Sequence, residues 1–238
     1  MDEQIQTAGE SQPTSLPEFD LSVGSIIANG FTIGFKYFFQ ILLSFILWVL
    51  TFWIPYVNVG TTIGLYGLIV KMSKDESFDI FEIFRKEYRA IIPEFLILVA
   101  LQGLALYFAF AFFIIPGIIV GIALGFSYFF LIDKKMGVLE SLYASNKTTY
   151  GHKWDIFGAM FIIYLIGLVP TLIFWLLFRT TPDEFTEFSE FGPQFNILSF
   201  LGLPNALGVV LIIIVWLIIS AVIYGAEAYI YRQLAKKI

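Results

Sequence analysis

The sequence predicts an all-α polytopic membrane protein, with six transmembrane helices arranged as three hairpins and interfacial amphipathic helices between them. Three observations carry that prediction. The first is composition: 58% of residues are hydrophobic, 18% aromatic and only 14% charged, whereas soluble domains run near roughly 45–50% apolar. The second is the set of long apolar runs broken by Pro and Gly. The third is charge placement. Of the 14 Lys and Arg, all but Arg179 fall in segments that a six-span reading puts on one side of the membrane. That bias is the positive-inside pattern, and it assigns the shared side, with both termini, to the cytoplasm.

The chain reads as an acidic tail, 1–21, followed by one transmembrane domain, 22–238. The tail holds Asp2, Glu3, Glu10, Glu18 and Asp20. It lacks the basic n-region and apolar run of a signal peptide, and reads as a short disordered cytoplasmic segment. The predicted spans are 37–54, 55–70, 91–115, 116–132, 156–178 and 204–229. The apolar stretch from Ile91 to Ile132 would be about 63 Å long as one helix, twice a hydrocarbon core of roughly 30 Å. Pro116-Gly117 therefore breaks it into a hairpin, and Trp53-Ile54-Pro55 does the same between the first two spans. An internal echo supports this division: Ile54-Pro55 and Ile115-Pro116 stand 61 positions apart, as do Gly60 and Gly121, and Gly64 and Gly125.

Between the hairpins lie two amphipathic segments. In Ser77–Tyr88, Phe78, Phe81, Phe84 and Tyr88 recur at helical spacing, with Ser77 as N-cap. In Val138–Lys147, Leu139 and Leu142 share a face with Tyr143, opposite Glu140 and Lys147. Both suit either the headgroup layer or connector helices packed under the bundle. In the loop 179–203, Phe185, Phe188 and Phe191 alternate with Glu184, Glu187 and Glu190. That pattern fits an interfacial helix or an acidic surface for a cation or basic partner.

Little in the chain points to catalysis. It has no Cys and a single His, His152, so a zinc site and a thiol nucleophile are not expected. No phosphate-binding loop, GxSxG or HExxH is present. The expectation is a non-enzymatic protein without cofactor or metal. Ionisable groups within spans are functional candidates by default, because a buried charge costs roughly 2.5–3.5 kcal/mol at a helix centre. Glu94 and Glu227 come nearest to that status, both close to the cytoplasmic interface, and Gln102 is the deepest amide. The three are candidates for a ligand pocket; structural pairing is the other reading. Gly60, Gly64, Gly117, Gly121 and Gly125 form GxxxG units that let helices approach closely, within one chain or between copies.

Several stretches together resemble one family. These are Ile114-Ile115-Pro116-Gly117-Ile118-Ile119 running to Phe130-Leu131-Ile132-Asp133, then Gly137–Ser145, then Thr149–Trp154, and finally Tyr229-Ile230-Tyr231-Arg232-Gln233-Leu234. They are similar to bacterial YciC-like proteins and the membrane domain of glycerophosphodiester phosphodiesterases, over about residues 25–236. Tyr143 and Ala144 depart from that family's usual Ala-Leu placement. The resemblance implies about six spans; it does not imply phosphodiesterase activity, which belongs to a separate soluble barrel domain. The resulting expectation is a bacterial inner-membrane scaffold or regulator. Its partners would be membrane lipid, a protein or a second copy of the chain, and not nucleic acid. The other expectation is a carrier or channel for a small apolar or amphipathic solute.

Overall fold

The computed structural model describes residues 19–179 and 204–238. Among them the regular structure is helical, and the single extended pairing is an isolated bridge between Arg179 and Pro204. In chain order the helices are α1 (Val23–Lys36), α2 (Phe38–Leu50), α3 (Pro55–Ser73), a 3-10 turn (Ile80–Phe84) and α4 (Lys86–Ala90). They continue with α5 (Ile92–Phe112), α6 (Ile114–Gly125), α7 (Ser127–Asp133), α8 (Val138–Thr149) and α9 (Lys153–Phe178). The last is α10 (Ala206–Leu234), ending in a 3-10 turn (Ala235–Lys237).

Four segments are long and apolar enough to cross a membrane: Ile92–Phe112, Ile114–Asp133, Lys153–Phe178 and Ala206–Lys237. A fifth arises if α1 and α2, bent by 72° at their junction, count as one broken span. The fold is therefore that of a multi-pass helical membrane protein with four or five helices of spanning character. Six spans are not established by helix length and apolarity. Predicted spans 37–54 and 55–70 correspond to α2, only 13 residues long, and α3.

Burial follows the same logic. Outward positions of α5 and α9, among them Leu96, Leu104, Phe108, Leu165 and Leu177, are apolar and exposed, as a lipid-facing surface requires. The core lies towards one end of the bundle. Along α10, residues from Gly225 to Leu234 are nearly all buried, while Val209, Val210, Ile213 and Ile214 are exposed. Tyr231, Phe129 and Phe130 form an aromatic knot there, with ring centroids 5.2–5.3 Å apart about Tyr231. The tightest crossing joins α1 to α10. A Cβ on Gly34 would stand 2.5 Å from the Ala221 carbonyl oxygen, and one on Gly225 would run into the Gly30 backbone.

Two sequence expectations differ from the structure. Ser77–Tyr88 is not one helix: Asp79, not Ser77, caps the 3-10 turn through the Phe81 N–H at 3.2 Å. Arg85 then takes an extended ψ of 139° before α4. The reason is tertiary, because the backbone of Ile83 is pressed against Gly64 of α3. In the tail, Phe19–Leu21 is anchored, with Tyr229 donating to the Asp20 carbonyl at 3.0 Å and Leu21 buried. The rest of the predicted tail and the Phe/Glu loop segment lie outside the described residues.

Candidate functional site

The polar residues concentrate where α1, α3, α7 and α10 end. Helix α3 finishes at buried Met72 and Ser73, whose C-terminal carbonyls need partners. Arg232 of α10 supplies them: its Nη2 donates to the Met72 carbonyl at 3.2 Å and its Nε to that of Ser73. The same Nη2 pairs with Asp75 at 2.9 Å, and Lys36 at the end of α1 reaches the other Asp75 oxygen at 3.1 Å. Burial alone would raise the Asp75 carboxyl, but Lys36 and Arg232 outweigh it and hold the group below the ordinary carboxylate range. One step away, Tyr231 donates to Asp133 at 2.7 Å, and Lys74 closes an ion pair with the same carboxylate. Asp133 is only 5% exposed, so both partners matter to its ionised form. Lys71 pairs with Glu82 at 2.6 Å and ties the 3-10 turn to this frame. Together these contacts make a clamp that fixes the helix ends relative to one another.

A second wedge fixes the α6–α7 break. The Ser145 hydroxyl of α8 donates to the Ala123 carbonyl at 2.7 Å and accepts from the Phe126 N–H at 3.2 Å. Those are the backbone groups that the break releases. Helix α8 buries Ser141, Ala144, Ser145, Thr148 and Thr149, and turns Leu139 (73% exposed) and Tyr143 outward. Leu142 is partly buried. In the connector, Phe81 is exposed, Phe84 is partly buried, Phe78 stacks on Tyr37 at 5.3 Å, and Tyr88 is buried with its hydroxyl against Gly67.

The three pocket candidates are placed apart in character. Glu94 is exposed at the start of α5. Gln102 is buried with its Oε1 unpartnered, on a helix that packs chiefly on α6. Glu227 is partly buried in α10, and the groups that feel its charge are Tyr66, Tyr164 and Tyr224. A shallow groove between α2 and α10, with room for about one water molecule, is lined by Phe38, Phe45, Leu217, Ser220 and Tyr224, and by none of the three candidates. Among the described residues no group of three or more His, Asp or Glu is placed to hold a metal.

The glycine motifs are used unequally. Gly60, Gly64 and Gly117 are packed so closely that a side chain would collide with Arg89, Ile83 and Phe110 respectively. Gly121 has ordinary contact room, and Gly125 faces open space. The positions that reading the sequence missed are Gly30, Gly34 and Gly225. Gly30-x-x-x-Gly34 and Ala221-x-x-x-Gly225 are small-residue spacings of the same type and could have flagged the crossing. The clamp residues had no comparable signal.

Fold and site define a multi-pass helical membrane protein, tightly packed and cross-braced at one end. No protein-family model, no curated protein and no solved structure matches the chain.

Proposed function

We propose that this protein is a non-enzymatic scaffold or regulator of the bacterial inner membrane, binding lipid or a partner protein at its clamped end. One observation carries the reading. Exposed Phe81, Leu139, Tyr143, Tyr150 and Trp154 accompany exposed Lys86, Lys134, Lys135 and Lys147 on elements that the clamp and the small-residue face of α8 hold firmly. Apolar and aromatic groups beside lysines suit an anionic headgroup layer. The layout that goes with it keeps three hairpins, α2–α3, α5 with α6–α7, and α9–α10, with both termini in the cytoplasm. The Lys and Arg distribution supports that orientation. The family resemblance is compatible with this role and adds no activity to it.

Native mass spectrometry of protein released from nanodiscs of phosphatidylethanolamine and phosphatidylglycerol tests the reading. Retained phosphatidylglycerol, lost on Leu139→Glu or on joint Lys134→Gln and Lys135→Gln, is the expected result. Release of bare protein, or retention indifferent to these changes, would overturn lipid binding. The second reading, a carrier or channel for a small apolar or amphipathic solute, is favoured by Glu227, a carboxyl-bearing side chain within α10 set near Tyr66, Tyr164 and Tyr224. It requires that Glu227→Ala abolish flux of an amphipathic dye from proteoliposomes.

A further inference from the structure

In the α2–α3 hairpin, α3 is not among the segments of spanning character, and α2 joins them only together with α1 across the 72° bend. Residues 37–70 contain no charged side chain, and the tip exposes Phe52, Trp53 (87% exposed), Ile54 and Tyr56. We propose that this hairpin enters a single leaflet and returns without crossing, with its tip in contact with the acyl chains of that leaflet.

Depth is set by the connector that follows it. Gly60, Gly64 and Lys71 of α3 meet Arg89, Ile83 and Glu82, so the charged segment 79–90 runs along α3 in the opposite direction. Arg85, Lys86 and Glu87 on that segment are exposed. Were α3 upright, Arg89 would be carried about 16 Å below Lys71, and burying such a charge costs roughly 2.5–3.5 kcal/mol even on insertion scales. Helix α3 therefore lies low against the headgroup layer.

Helix α5 gives the same level independently. Ile92, its first residue, stands beside Gly60. The 21 residues of α5 make about 31 Å, and a core of roughly 30 Å uses all of that length. Gly60 thus sits where α5 enters the membrane. Only Pro55–Val59, about 8 Å of helix, lies beyond it before the tip. Helix α2, with 13 residues, is about 20 Å long and leaves α1 at a 72° bend.

The polar groups near the tip are closed on themselves. Trp48 Nε1 donates to Thr62 at 2.8 Å, the Thr51 and Thr61 hydroxyls share a hydrogen bond at 2.9 Å, and Asn58 donates to Thr51 at 3.3 Å. Thr61 and Thr62 also donate back to the Asn58 carbonyl, at 3.0 and 2.8 Å. A turn reaching water has no need of such closure, whereas a turn ending among acyl chains does. A wedge of this kind occupies area in one leaflet only, whether the clamped end binds lipid or a protein.

The absence of Cys makes the test clean. Single-cysteine variants Trp53→Cys, Lys135→Cys and Arg179→Cys are labelled in sealed vesicles of both orientations with a membrane-impermeant maleimide. Lys135→Cys and Arg179→Cys serve as references for the two faces. Trp53→Cys is expected to react from either side about tenfold more slowly than the accessible reference, since a thiol in hydrocarbon does not ionise. A nitroxide at the same position in nanodiscs should be open to oxygen and closed to a water-soluble nickel chelate. Labelling of Trp53→Cys from the Arg179 face at the reference rate, or nickel access equal to that at Arg179→Cys, would overturn the proposal.

Discussion

At the residue scale, the clamp shows how much depends on pairings far apart in sequence. Asp75 meets Arg232 across 157 residues, and Asp133 meets Tyr231 across 98. Nothing in the local sequence around Asp75 marks it, whereas Glu94, Gln102 and Glu227 were legible because charge or amide within an apolar run is conspicuous by itself. Asp75 also gives a pH prediction. Its carboxyl is depressed in the folded chain, so its contribution is complete above the unfolded value of about 4 and is lost as pH falls through the folded value. Thermal unfolding of Asp75→Asn in detergent should show a constant deficit at neutral pH that closes under strongly acid conditions. A deficit independent of pH would mean that the ion pairs are not its source. Tyr231→Phe removes a hydroxyl donor to the nearly buried Asp133 and should cost about 1–3 kcal/mol in the same assay, while Tyr150→Phe, at an exposed site, should leave stability unchanged.

At the scale of elements, helix existence was readable and helix packing was not. The apolar runs that became α5, α9 and α10 declare themselves through length and composition. The segment Ser77–Tyr88 has helical spacing of aromatics, yet it folds as a 3-10 turn and a short α4 because Gly64 admits the Ile83 backbone and Lys71 holds Glu82. Local periodicity was overridden by one close approach and one ion pair. Glycine spacing misled in a related way. The echo pairs Gly60 with Gly121 and Gly64 with Gly125, but only the first member of each pair is packed tightly. Substitution should expose the difference. Gly225→Leu drives a side chain into the α1 backbone, where overpacking costs about 1–3 kcal/mol or more; loss of the monodisperse peak in size-exclusion chromatography is the expected outcome. Gly125→Ala meets open space and should be neutral or stabilising by about 0.4–1 kcal/mol. Equal behaviour of the two variants would contradict the packing described.

At the scale of the whole molecule, the arrangement is asymmetric along its length: braced at one end and lipid-facing towards the other. A C-terminal fluorescent-protein fusion should fluoresce and a phosphatase fusion should stay silent if the clamped end is cytoplasmic, as the distribution of Lys and Arg implies. An active phosphatase fusion would reverse the orientation. The number of crossings is where sequence and structure part. By itself the sequence determined that this is an apolar helical chain made for a bilayer, because a 58% hydrophobic content has no other solvent and backbone groups in lipid must be satisfied within helices. It could not determine how α2 and α3 lie, since an apolar run of 34 residues reads as two crossings whether it stands upright or turns back. Only the tertiary structure decided that α3 shares its level with a charged connector. The physical reason is that depth is relational: a helix sits where the charges packed beside it can reach water.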